Sequence, residues 1–212
     1  ASNNVAVGRH ALLTNTTGAD NTAVGFESLK ANTTGQLNTA VGVSALTANT
    51  TASSNQAFGR RALHVNTTGT ENNAFGYLAM DANTTGSYNV AMGVNALGGN
   101  TTATYNTALG HQAMIANTTG GDNTAVGAFA LDANTTASLN TAVGYFAMSA
   151  STTAAQNVAV GANSLDALTT GNNNTGLGYE SLGKLTTGVD NTAVGRAAGL
   201  DNTTGSSNTA VG

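Results

Sequence analysis

The chain contains no cysteine, no proline and no tryptophan, and charged residues make up only 8% of its 212 positions. Ordinary globular domains carry about 25%. Each shortage excludes something. Without cysteine there is no disulfide framework and no thiolate metal site. Six Lys and Arg against ten Asp and Glu, a net charge of -4, leave no basic footprint for nucleic acid. No run of about 18 apolar residues offers a membrane span. Residues 1–4, Ala-Ser-Asn-Asn, show neither the basic nor the apolar region of a signal peptide. Disordered chains are usually rich in Pro, Glu, Lys and Ser with high net charge, which is not this composition.

What fills the chain instead is four small residue types. Ala (38), Thr (36), Asn (28) and Gly (27) account for 129 of the 212 residues. Such bias points to repetition, and a repeat is present. Asn recurs at every seventeenth position from Asn4 to Asn208, followed by x-Ala-apolar-Gly in all but one copy, without insertion or deletion. Residues 4–207 form twelve full units and 208–212 open a thirteenth, so residues 1–212 read as one repeat array, expected to be a piece of a longer fibre. The unit is N-x-A-Φ-G-x-x-[AS]-[LM]-x-x-N-T-T-[GA]-x-x, with Φ apolar.

The columns differ in tolerance. Columns 1 and 5 are Asn and Gly thirteen times out of thirteen, and columns 13 and 14 are Thr in all twelve units. Column 3 is Ala except Gly176, column 9 is Leu or Met except Gly199, and column 12 is Asn except Ser151, Leu168 and Leu185. Every Asp, Glu, Lys and Arg falls in columns 6, 7, 10, 11 or 17. Desolvating a charge is expensive, so these columns report solvent, with column 11 undecided, and the invariant columns lie inside or at packed turns.

A helical repeat is excluded by the Gly and Thr-Thr in every unit and by the short period. The pattern predicts an all-β parallel β-solenoid, a β-roll of about twelve 17-residue coils. Columns 4 and 9, including Phe58 and Phe75 of column 4, are expected to supply the interior. Gly in column 5 is expected at a turn or bulge. The Asn columns are read as ladders between coils, and the two Thr columns as two further ladders pointing to opposite faces. With coils at about 4.8 Å the array would be a rod of roughly 60 Å. The core is lean for 17 ordered residues per coil, which argues for association into a homotrimer or an end-to-end filament.

The string NTAVGxxALxxNTTGxxNTAVG is similar to repeats of trimeric autotransporter adhesin heads, of hemagglutinin-type proteins and of bacteriophage tail fibres. Asn21-Thr22-Ala23-Val24-Gly25, Ser28-Leu29 and Asn32-Thr33-Thr34-Gly35 carry the match, and equivalents run through nearly all of the chain. The resemblance implies a left-handed parallel β-roll, commonly trimeric, located extracellularly on a cell surface or virion. The 17-residue period departs from the shorter repeats of adhesin heads.

Chemistry is harder to find. His10, His64 and His111 share no column. Asp81, Asp132 and Asp166 share column 10 but stand two or three coils apart, too far for a carboxylate pair. No catalytic residue, cofactor or metal site is read from the sequence. Eight aromatics in columns 6, 7 and 17 are the candidate exposed contacts: Phe26, Tyr77, Tyr88, Tyr105, Phe129, Tyr145, Phe146 and Tyr179. Exposed rings stack on sugars or fill subunit interfaces. The expected function is a non-enzymatic structural or adhesive extracellular fibre, whose partners are its own copies and a host-surface glycan or protein. The alternative is an ice-binding solenoid with Thr ladders. Nine Asn-Thr-Thr sequons would matter only where N-glycosylation occurs.

Overall fold

The computed structural model describes residues 2–212. It divides into two compact units, Ala1–Tyr105 and Asn106–Gly212, split at a repeat boundary. Each coil contributes one three-residue strand. In the first unit these are β1 (Val5–Val7), β2 (Thr22–Val24), β3 (Thr39–Val41), β4 (Gln56–Phe58), β5 (Asn73–Phe75) and β6 (Val90–Met92). In the second they are β7 (Thr107–Leu109), β8 (Thr124–Val126), β9 (Thr141–Val143), β10 (Val158–Val160), β11 (Thr175–Leu177), β12 (Thr192–Val194) and β13 (Thr209–Val211). Within each unit successive strands pair in parallel at a shift of one repeat, as Thr22, Ala23 and Val24 do with Thr39, Ala40 and Val41. There is no helix among the described residues. Both units are β-solenoids, as the period predicts.

The strands are short because Gly in column 5 ends them. Gly25 has φ +137°, and a Cβ there would sit 2.5 Å from the Gly42 carbonyl oxygen. No L-residue enters that position without moving the next coil. The rest of the coil is irregular but still laced to its neighbours. The Leu29 N–H donates to the Ala45 carbonyl (2.9 Å) and the Ala31 N–H to the Thr47 carbonyl (3.0 Å). Backbone polar groups outside the strands thus find partners one coil away.

Three further columns take left-handed backbone with side chains attached. Columns 7, 9 and 17 have φ near +50° to +66°, as at Glu27, Leu29 and Leu37. The left-handed conformation costs an L-residue roughly 1–2 kcal/mol. In column 9 the same turn drives Leu29, Leu46, Leu63 and Met80 into the interior, where they are fully buried. Burying such a side chain is worth about 1.5–3 kcal/mol, enough to offset the strain.

The interior is leaner than the sequence predicts. It holds Ala of column 3, Ala or Ser of column 8 and Leu or Met of column 9, together with the Asn of columns 1 and 12. Column 4 lies outside it. Successive strand residues point to opposite faces, so burying Ala23 turns Val24 outward. Phe58 and Phe75, expected in the core, are half-buried on the outer face and stack on each other with centroids 4.8 Å apart. Two exceptions in the interior columns have local reasons. At Gly176, which stands in the place of Ala, a Cβ would lie 2.7 Å from Ser164 Oγ, which donates to the Gly176 carbonyl (3.0 Å). Leu200, one position past the usual column, packs over Gly183, and Gly199 takes the left-handed φ of +65°.

Candidate functional site

The Asn columns explain how the coil closes. In column 1 the Asn38 backbone N–H (3.0 Å) and Nδ2 (3.1 Å) both donate to Asn21 Oδ1. Asn38 Nδ2 also donates to the Ala52 carbonyl of column 15 (2.9 Å). In column 12 Asn49 Nδ2 donates to Asn32 Oδ1 (3.0 Å) and to the same Ala52 carbonyl (3.0 Å). Where column 12 is Asn, two amide ladders therefore converge on one carbonyl per coil, and both are largely buried. The sequons fall on the second ladder. In Asn32, Asn49 and Asn66 the nitrogen that a glycan would modify is buried and bonded.

The Thr columns differ from the expectation of two ladders on opposite faces. They lie in bends rather than strands, so strand alternation does not apply. Thr33 of column 13 is half-buried, and its hydroxyl donates to the Thr50 carbonyl one coil on (3.0 Å). Thr of column 14 is exposed in every coil, from Thr17 to Thr204. Column 11 is also settled: its Ala residues are half-buried, and Lys184 and Asp201 there are exposed.

With its interior filled by ladders and small side chains, the chain presents its chemistry on the outside of the strands. Columns 2 and 4 face outward between the buried columns 1 and 3, with columns 17 and 6 at the two ends of each strand. Column 4 makes an apolar stripe, from Val7, Val24 and Val41 to Met92 in the first unit, and Met92 is 50% exposed. Of the eight candidate aromatics, Phe26, Tyr77, Tyr88, Tyr105, Tyr145 and Tyr179 are exposed, and Phe129 and Phe146 are half-buried. The structure draws some together. In the first unit Tyr88 and Tyr105 stack at 5.0 Å, the Arg60 guanidinium lies over Tyr77 (5.7 Å), and Phe26 has His10 beside it (6.1 Å). In the second unit Phe129 stacks on Phe146 (4.9 Å), and Tyr145 meets Phe146 edge-on (4.4 Å). His111 joins that cluster through Phe129 (5.3 Å). Tyr179 stands apart, under Arg196 (5.8 Å). Phe58 and Phe75 belong to this outer face too. Strand alternation around the invariant Ala was the signal for them.

Charged groups elsewhere form isolated pairs. Lys30 holds the Glu27 carboxyl below its ordinary range, aided by His10. Lys184 does the same for Asp201. Partial burial raises Asp132 and Asp166, the latter with help from Glu180. A hollow of about 230 Å3 opens in the second unit between Asn163, Asp166, Glu180, Gly183, Lys184 and Leu200. It lies where Gly183 and the displaced Leu200 break the pattern. Among the described residues no three His, Asp or Glu come together as a metal site would require. The repeated outer face of the strands is thus the feature offered by every coil. No family model, no curated protein and no solved structure matches this chain.

Proposed function

We propose that the chain is part of an extracellular structural or adhesive fibre, non-enzymatic, on a cell surface or a virion. In this reading it works by association of its own copies and by multivalent contact with a host-surface glycan or protein. The observation that carries it is the outer face of the strands, where each coil repeats an apolar, half-buried or exposed column 4, flanked in most coils by exposed side chains of columns 6 and 17. An exposed apolar surface of this kind marks an interaction site. A surface repeated at each coil also multiplies weak contacts into strong attachment. The likeness of the repeat to adhesin heads and tail fibres supports the same reading, with a left-handed homotrimer or an end-to-end filament as the assembled form.

Two measurements test it. Analytical ultracentrifugation should give a species larger than the 20.8 kDa chain; a stably folded monomer at all concentrations overturns the associating fibre. For adhesion, Tyr145→Ser with Phe146→Ser should reduce binding to glycan-coated surfaces, and undiminished binding removes the aromatic contribution. A second reading, ice binding, is favoured by the exposed Thr of column 14 in every coil. It requires thermal hysteresis in solution, and its absence ends that reading.

A further inference from the structure

The charges flanking the strands are sorted by sign. In column 6 the only charged residues are Arg9, Arg60 and Arg196, with His111 also there. In column 17 they are Asp20, Glu71, Asp122 and Asp190. One end of the strand face is therefore basic and the other acidic. Column 4, between them, carries no charge in any coil. All of these charged groups are exposed, and none forms an ion pair among the described residues. The Arg60 guanidinium lies over the ring of Tyr77, and Asp20 accepts an amide hydrogen bond from Asn3.

The two ends are also in phase. Arg9 follows β1 and Asp20 precedes β2, the next strand; Arg60 and Glu71 stand likewise at β4 and β5, and the two pairs are 51 residues apart, which is three coils. His111 and Asp122 repeat the arrangement another 51 residues on. In the four coils between, these columns are uncharged: Phe26 and Leu37, Val43 and Ser54, Tyr77 and Tyr88, Val94 and Tyr105. After Asp122 the three-coil phase lapses at Ala162 and Asn173, but the sorting by sign persists in Asp190 and Arg196.

We propose that a second copy of this chain docks on the strand face in parallel and in register, the column-6 edge of one copy meeting the column-17 edge of the other. This rests on the reading of the chain as a self-associating fibre and specifies how its copies meet. When two copies face each other with coil axes parallel, each basic edge lies against an acidic edge. Arg9 and Arg60 then stand one strand row, about 4.8 Å, from Asp20 and Glu71 of the neighbouring copy, within reach of their long side chains, and Phe26 and Tyr77 stand as far from its Leu37 and Tyr88. When the axes are antiparallel, column 6 meets column 6, and like charges oppose each other, which disfavours the wrong partner arrangement. Rotational symmetry about an axis along the coils, two-fold or three-fold, gives the parallel pairing at every contact and closes the assembly.

The face is large enough. From column 17 to column 6 is six residues at about 3.3 Å, and one coil is about 4.8 Å, so each coil offers roughly 100 Å2. Six coils of the first unit give roughly 600 Å2, close to the ~800 Å2 per partner of a standard interface. Its layout, an apolar middle with charged margins, is that of protein interfaces generally.

Reversing one edge tests the proposal. Arg9→Glu with Arg60→Glu, both exposed and outside the ladders, should weaken self-association of the full chain about tenfold in sedimentation at low salt. Adding Asp20→Arg and Glu71→Arg reverses the other edge and should restore it. A one-edge variant that associates as strongly as the parent, with unchanged circular dichroism, overturns the docking mode and leaves the fibre reading standing. A parent that stays monomeric overturns both. Because the chain has no cysteine, Leu37→Cys with Val43→Cys, exposed residues at the two ends of β3, gives an independent check. A short bismaleimide should join copies of this double variant, and failure to do so in a sample that still associates also overturns the parallel register.

Discussion

In the first unit the column-12 amides form an unbroken row, Asn32 donating to Asn15, Asn49 to Asn32, Asn66 to Asn49, Asn83 to Asn66 and Asn100 to Asn83. In the second unit the row runs from Asn134 to Asn117 (2.8 Å), and then Ser151, Leu168 and Leu185 take its place, all buried. The column-1 ladder continues undisturbed through these coils. Asn174 and Asn191 bond to the preceding Asn through both backbone and side chain. The two Asn columns are therefore not equivalent. Column 12 supplies a second donor to a carbonyl that column 1 already satisfies: with Leu168 in place, Asn157 Nδ2 still donates to Gly171 (3.0 Å). Column 1 also accepts the backbone N–H of the next coil's Asn. That buried donor has no alternative partner, and this accounts for its thirteen identities.

Substitution at the two columns should widen the contrast, and the largest effect belongs to column 1. Asn55→Leu leaves the buried Asn72 N–H, now bonded to Asn55 Oδ1 at 3.0 Å, without an acceptor. It also removes the amide from Gly69. An unsatisfied buried group costs about 1–3 kcal/mol, and the change breaks more than one bond, so a loss of roughly 3 kcal/mol is expected. Asn66→Leu, one column-12 step away in the same unit, repeats what the second unit does naturally and should cost only about 1–2 kcal/mol. Urea midpoints of the two variants compare them directly. Equal losses would mean that the columns share one role and that the leucines of the second unit are tolerated for another reason.

A smaller effect of opposite sign is expected where the row breaks. Asn134 Oδ1 and Ser151 Oγ are both buried without a hydrogen-bond partner, because the serine is too short to reach back. Ser151→Asn supplies the missing Nδ2 and removes the idle hydroxyl, with the column-15 carbonyl of Ala154 as its second acceptor. Stabilisation by about 1 kcal/mol is the expected outcome, read as a higher urea midpoint with unchanged slope. A drop in the midpoint would show that the site has already repacked around serine.

Much of this was legible in the residues. The period, the parallel coils, the glycine turn and the Asn ladders followed from identity within columns and from the position of charge. The core did not follow as well. Column 4 is apolar in every unit, and apolar residues read as interior, yet the buried Ala of column 3 turns it outward. The left-handed backbone was hidden for a different reason. Asn95, Asn163, Asp20 and Asp190 in columns 7 and 17 are residue types that tolerate it, but Leu29 and Met80 in column 9 are not. There burial, which sequence reports only through its neighbours, overrides local preference. The pairing of Thr hydroxyls with backbone carbonyls was hidden because columns 13 and 14 suggested a strand where the chain makes a bend.

The weakest contrast between the units is electrostatic and lies in their response to acid. Burial raises Asp132 and Asp166 of the second unit above the ordinary value of 3.8, so the folded chain holds more protons there than the unfolded one. Their ionisation works against folding at neutral pH, and this is relieved as pH falls through the raised values towards 3.8. Glu27 of the first unit is held below 4.5, chiefly by its hydrogen bond from Lys30. The folded chain binds fewer protons at that site, so its contribution is present above pH 4.5 and lost below. Acidification should therefore favour the coils around Asp132 and Asp166 and weaken the coil of Glu27. Lys184 and Asp201 oppose this trend within the second unit, so the test isolates the two aspartates. Thermal unfolding of the chain with Asp132→Asn and Asp166→Asn should lose the gain that the parent shows as pH falls from 7 through the raised values towards 3.8. If the parent and the variant shift alike over that range, the two carboxylates do not set the acid response of the second unit.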